Sequence, residues 1–149
     1  MRAYYSAVIP SSASTVWAVA RDFGNYLLFT SGRGEAFVED GKSGDSVGAV
    51  RNATLDGRNV RQRLLAHSDL EMFHQYEFCD RVPLPIENYR ATLQFRPIVE
   101  AGSTFVEWTA TFDCEAADRD DLRQNLEKMF SSWIDSLRNA IESARPDCG

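Results

Sequence analysis

The stretch GDSVGAVRNATLDGRNVRQRLL, Gly44 to Leu65, holds two extended segments that meet at Asp56-Gly57, a dipeptide characteristic of two-residue hairpin turns. A turn at that point sets the register, because paired positions in a hairpin keep a constant sum of residue numbers. Leu55 then faces Arg58, Ala53 faces Val60, Arg51 faces Gln62 and Ala49 faces Leu64. One face collects Val47, Ala49, Ala53, Leu55, Val60, Leu64 and Ala66. The other carries Val50, Asn52, Thr54, Asn59, Arg61, Arg63, Leu65 and His67. The first face is the one expected to be buried, yet Arg51 and Gln62 lie side by side at its centre. A plain core would be apolar there, so this pair marks the first candidate site.

Strand patterns continue on both sides of the hairpin. Tyr4 to Ile9 reads as a first strand ended by Pro10, and Ser11-Ser12 supplies hydroxyl caps for a helix over roughly 13–23. Val16, Trp17, Ala20 and Phe23 give that helix an inward stripe. GNYLLFTSGRG, bracketed by glycines, allows at most a second short helix and a loop. Glu35 to Glu39 forms a strand, followed by a turn over 41–44. Downstream, Met72, His74, Tyr76 and Phe78 alternate on one face. RVPLPIEN breaks the pattern with two prolines; Tyr89, Ala91, Leu93 and Phe95 then alternate in turn, as do Val106, Trp108, Ala110 and Phe112. From Asp118, the expected N-cap, to Ala144 the period changes to 3.6, with Leu122, Leu126, Met129, Phe130, Trp133, Leu137 and Ile141 on one face before Arg145-Pro146 ends the helix. The expected fold class is α+β, a seven-stranded curved antiparallel sheet wrapped around a long C-terminal helix, with two short helices after the first strand. That helix is the only element long enough to cover the apolar face of the sheet, and curvature leaves space beneath it.

A chain of 149 residues suits a single domain, here 1–149, and buries roughly two-thirds of its unfolded surface without a staple. Cys79, Cys114 and Cys148 are odd in number and have no CxxC or Cys/His spacing, so neither a disulfide framework nor a zinc site is indicated. The two histidines fall on opposite faces of neighbouring strands by the alternation, and no metal or other cofactor is expected. A net charge of −6 without a basic stripe argues against nucleic acid, although Arg58, Arg61 and Arg63 form a local basic edge. No signal peptide or membrane span is evident, and a cytoplasmic location without membrane insertion is expected.

Four segments, TVWAVARDFGNY, GDSVGAVRNATLDG with VRQRLL, PLPIENYRATLQF and STFVEWTATFD, resemble the START and birch-pollen-allergen-like superfamily (SRPBCC), in its bacterial polyketide cyclase/dehydrase-like branch. The resemblance covers nearly the whole chain. It implies a helix-grip fold whose long helix closes an internal pocket for lipids, polyketides, sterols or other largely apolar ligands. Two positions depart from the pattern: many relatives carry Glu where this chain has Gln62, and many carry a Trp-x-Pro segment where it has Tyr26, Leu27, Leu28 and Phe29. The first departure weakens any acid/base role at that position; the second implies a differently shaped pocket mouth.

The expected ligand-binding residues are Arg51, Gln62, Leu64, His74, Tyr76, Tyr89, Leu93, Trp108, Met129, Phe130 and Trp133. A guanidinium on an apolar face needs a partner, and Gln62 can share a hydrogen bond without neutralising the charge. That leaves room for a carboxylate, enolate or phenolate. The plain alternative is an arginine that leans to the sheet edge, hydrated or paired with a structural carboxylate. His74 and Arg51 are the catalytic candidates, for proton transfer and oxyanion stabilisation. Three functions from different classes follow: binding of a small hydrophobic or amphipathic molecule, a cyclase or dehydratase-type enzyme, and a regulatory or assembly module with a filled pocket. Binding is preferred because no convergent acid/base pair is present, and a homodimer is compatible with each.

Overall fold

The computed structural model describes residues 1–80 and 84–144. Strand β1 (Arg2–Ile9) leads into helix α1 (Ala13–Ala20), a 3-10 turn over Tyr26–Phe29, and strands β2 (Glu35–Val38), β3 (Val50–Leu55), β4 (Arg58–Ser68), β5 (Phe73–Phe78), β6 (Glu87–Ile98) and β7 (Ser103–Asp113). Helix α2 (Arg119–Ala144) closes the described chain. The seven strands form one antiparallel sheet in the order β1-β7-β6-β5-β4-β3-β2. The curved sheet grips α2, which rests chiefly against β1 and the 3-10 turn.

The hairpin has the expected register, with Arg51 opposite Gln62 and Leu55 opposite Arg58. Asp56 and Gly57 have φ of 53° and 76°, both left-handed, as a type I′ turn requires. The Ala49–Leu64 pairing also persists, through the Leu64 amide on the Ala49 carbonyl at 2.9 Å, although β3 begins only at Val50. Val47, expected on the buried face, is 62% exposed, because the chain has left the sheet before Gly48.

A β-bulge at Leu65 changes the faces beyond it. Leu64 pairs with Tyr76, but Ala66 pairs with Gln75 and His67 with His74. Ala66 therefore turns off the inner face and His67 turns onto it, its ring 5.4 Å from that of Trp17. The expectation of histidines on opposite faces is thus corrected: both point inward.

Helix α1 stops at Ala20, three residues early, because the Asp22 side chain accepts from the Gly24 amide and the Phe23 amide turns to the Gly44 carbonyl. Ser12 caps the helix start through the Thr15 amide. Phe23 remains buried after the helix has ended. Along α2, Leu122, Leu126, Phe130, Ile134, Leu137 and Ile141 are buried. Met129 and Trp133, expected on that stripe, lie on its flank one turn apart: Met129 is 38% exposed and Trp133 half-buried, while Ile134 takes the central place. Two of the three arginines of the basic edge are paired, Arg61 with Glu39 and Asp80 and Arg63 with Glu77. Arg145-Pro146 and Cys148 lie outside the described residues, as do the first three residues of RVPLPIEN.

Candidate functional site

Arg51 sits at the centre of β3 and is 4% exposed. Its Nε donates to Gln62 Oε1 at 3.0 Å, its Nη2 donates to the same oxygen, and its Nη1 donates to the Phe23 carbonyl at 3.1 Å. The guanidinium carbon lies 4.1 Å from the centre of the Phe23 ring, 4.9 Å from Tyr26 and 5.4 Å from Tyr76. Gly44 makes part of this geometry available. A Cβ there would meet Asp22 Oδ1 and, at 2.9 Å, the Phe23 amide nitrogen, so only glycine lets the loop pass close enough to hold the Phe23 carbonyl toward Arg51. Among the described residues no carboxylate pairs with Arg51. Burial lowers its pKa to about 10, which still leaves it charged at neutral pH. The interior therefore holds a cation balanced only by neutral acceptors and aromatic faces.

His74 and Tyr76 neighbour it on β5. Burial, reinforced by the Arg51 charge, pushes the His74 pKa down to about 3, so the imidazole is neutral. Burial pushes the Tyr76 phenol up to about 12, and its oxygen accepts from Trp108 Nε1 at 3.1 Å. Arg51, Gln62, His74, Tyr76, Leu93, Trp108 and Trp133, all expected at the site, together with Tyr26 and Phe29, enclose a space of about 10 Å³, room for one water.

The other expected residues lie apart from this space. Leu64 is buried beside Tyr76 in the sheet, and Phe130 stacks on the Trp108 ring at 5.1 Å. Tyr89 packs on Phe78 at 4.9 Å and faces an open surface groove of about 750 Å³ beside the β5–β6 connection, which excludes Arg51. Met129 is exposed and is not among the residues around this space. Sequence reasoning missed Phe23 and Phe29 as site residues. Their signal was an aromatic run, Phe23 to Phe29, directly after a capped helix.

A second polar cluster borders the site. Asp69 Oδ1 accepts from Trp17 Nε1 at 2.9 Å and Arg21 Nε at 3.0 Å, and lies 3.0 Å from His67 Nε2. The Arg21 guanidinium holds the Asp69 carboxyl well below the usual carboxylate range. Among the described residues, no three histidine, cysteine or carboxylate side chains are grouped to hold a metal ion.

A curved sheet gripping one long helix over an inward polar floor defines the class: a helix-grip domain of the START and birch-pollen-allergen-like type. The chain belongs to the polyketide cyclase/dehydrase and lipid transport family, whose model matches residues 1–142. It is similar to the solved structure of a protein from Nitrosospira multiformis, at 25% identity and a TM-score of 0.81, with 97% of this chain and 100% of that one covered. An uncharacterized protein from Bacillus thuringiensis matches at 23% identity and a TM-score of 0.81, covering 95% and 98%. Norcoclaurine synthase from Thalictrum flavum, in complex with dopamine and hydroxybenzaldehyde, shares the fold at 11% identity and a TM-score of 0.74, covering 99% and 89%. Comparison with curated proteins gives no match. No helix among the described residues is long and apolar enough to cross a membrane.

Proposed function

We propose that this domain binds a small, largely apolar molecule through one oxyanion, a carboxylate, enolate or phenolate, received by Arg51. The observation that carries this reading is the buried guanidinium with no acidic partner among the described residues. An uncompensated buried charge costs several kcal/mol, and a ligand anion offsets that cost more fully than Gln62 can. The rings of Phe29 and Trp108 suit the apolar remainder of such a ligand. Family membership supports small-molecule binding in general. Because the present space holds about one water, the ligand enters by displacing Tyr26 and Trp133, the half-buried side chains at its boundary.

The enzyme alternative draws on the same residues, with Arg51 stabilising an oxyanion and His74 or a tyrosine moving a proton. His74 at about 3 is a weak base and Tyr76 at about 12 a weak acid at neutral pH, which favours binding over proton transfer. The filled-pocket alternative draws on the small volume. Titration calorimetry with fatty and aromatic acids separates these readings. Arg51→Leu is expected to weaken acid binding by on the order of 2 to 5 kcal/mol while the circular dichroism spectrum stays unchanged. Equal binding by both proteins would refute the role of Arg51. No binding by the wild type would leave the filled pocket standing.

A further inference from the structure

We infer that Ser136, on α2, is a positioning residue for this site: its hydroxyl latches the segment 25–32, which carries Tyr26 and Phe29, over Arg51, and so sets how often the guanidinium is open to a ligand. This rests on the assignment of Arg51 above and adds what controls access to it. Tyr26 and Phe29 border the small space beside Arg51, while Leu27, Leu28, Ser31 and Gly32 line an open surface groove of about 390 Å³ together with Ser136 and Asn139 of α2. The segment thus has the site on one side and an open groove on the other. Ser136 is buried, and its hydroxyl spends its whole hydrogen-bonding capacity on this segment. It donates to the Leu28 carbonyl at 2.8 Å and accepts from the Ser31 amide at 2.7 Å. With the Ser136 proton committed, the 3.1 Å contact between the two hydroxyls is a bond that Ser31 donates.

The segment is a self-contained unit. The amides of Thr30 and Gly32 both donate to the Leu27 carbonyl, at 3.3 and 3.0 Å. At its start, Asn25 Nδ2 donates to the Val19 carbonyl of α1 at 3.1 Å, which makes a pivot. At its far end, Ser31 and Gly32 have left-handed backbones, with φ of 56° and 78°. Glycine adopts that region freely and serine does not, so the bonds to Ser136 are what hold Ser31 there. Without them Ser31 relaxes to negative φ and turns its amide off α2, so that latch and strain release together. The remaining anchor is the Phe29 ring, 5.4 Å from that of Trp108, an apolar contact that water cannot replace. The Ser136 bonds differ. The groove lets water take over the Ser31 amide and the Leu28 carbonyl, so breaking them costs only the net value of bonds exchanged with solvent. They are the contacts that yield first, and the segment then swings about Asn25 and carries the Tyr26 ring off the guanidinium.

The test is solvent exchange, measured by NMR in the wild type and Ser136→Ala, of two protons beside the small space: Arg51 Nε–H, bonded to Gln62, and the Trp108 indole N–H, bonded to Tyr76. Neither is bonded to Ser136, and alanine is a good helix residue that leaves α2 intact. Both protons are expected to exchange roughly tenfold faster in the variant, the size of one net hydrogen bond. The Trp17 indole N–H, bonded to Asp69, and the Leu64 amide, bonded to the Ala49 carbonyl, are expected to keep their wild-type rates. Unchanged exchange at Arg51 and Trp108 would overturn the latch, and so would equal acceleration at all four protons, which would make Ser136 a residue of general stability. Stopped-flow mixing with benzoate separates the latch from the reading it rests on. Benzoate that binds the wild type and associates no faster with Ser136→Ala overturns the latch and leaves Arg51 assigned. Benzoate that binds Arg51→Leu as well as the wild type, or binds neither, refutes the Arg51 assignment and with it control of access by Ser136. Should Ser136→Ala not fold, the urea dependence of exchange in the wild type decides. A shared opening at Arg51 and Trp108 that hardly depends on urea is the expected local release, and exchange only through global unfolding overturns the proposal.

Discussion

Arg51 and His74 are charged and neutral, respectively, for the same reason. Burial disfavours the charged form of both, but a guanidinium starts so high that a pKa of about 10 leaves it protonated, whereas an imidazole driven to about 3 loses its proton. The second shift has a consequence for stability. The unfolded chain takes up a proton at His74 near pH 6.5 and the native state does not until about pH 3. His74 therefore contributes nothing unfavourable above pH 6.5, and stability falls as pH drops through that window. Between pH 6.5 and 5 the loss is roughly 2 kcal/mol. Urea unfolding at pH 7 and pH 5 measures it, with His74→Gln expected to lose much less over the same interval. The paired carboxylates of Asp69 and Glu39 add their own losses only at lower pH, because their pKa values are held below the ordinary carboxylate range. Equal losses in both proteins would mean that His74 is not held neutral. The Arg51–Gln62 pair was legible in the sequence because Asp56-Gly57 dictates its register. The inward turn of His67 was not, since QRLLAHS has no glycine or proline to announce a bulge.

At the level of elements, the long helix was legible in its length and less so in its face. The buried face is rotated about the helix axis relative to a stripe drawn through Met129, Phe130 and Trp133, and runs through Leu126, Phe130, Ile134 and Leu137. Packing against β1 and the 3-10 turn chooses among the apolar residues, and the sequence does not contain that choice. The distinction has measurable weight. Phe130 is fully buried and stacked on Trp108, so Phe130→Ala is expected to destabilise by roughly 3 to 5 kcal/mol. Trp133 touches Trp108 and Phe130 with its ring at 5.1 and 5.9 Å but is half-buried beside the small space, so Trp133→Ala should cost less, about 1 to 2 kcal/mol. Chemical denaturation of the two variants ranks them. A larger loss at Trp133 would place it, not Phe130, at the centre of the helix–sheet contact.

Across the whole molecule, the curvature of the sheet pointed to space under the helix, and the molecule fills most of it. Ala49 and Ala53 are buried as expected, but Phe23, Tyr26 and Phe29, all from the α1–β2 connection, lean over the floor they leave open. No local pattern gives a cavity volume, because it is the remainder left by several elements packed from different parts of the chain. A site closed in this way must open before it binds, and apparent affinity is reduced by the fraction of molecules that are open. Tyr26 is the most informative residue for this step. It comes from a four-residue 3-10 turn, is only half-buried, and covers the guanidinium by a face contact at 4.9 Å. Removing its ring uncovers Arg51 and leaves the Gln62 and Phe23 hydrogen bonds in place. If opening limits binding, Tyr26→Ala should associate with an aromatic acid on the order of tenfold faster in stopped-flow fluorescence, with dissociation changed less. If the ring instead belongs to the binding surface, the same variant will associate at the wild-type rate and dissociate faster, and Tyr26 would then be a ligand contact instead of a cover.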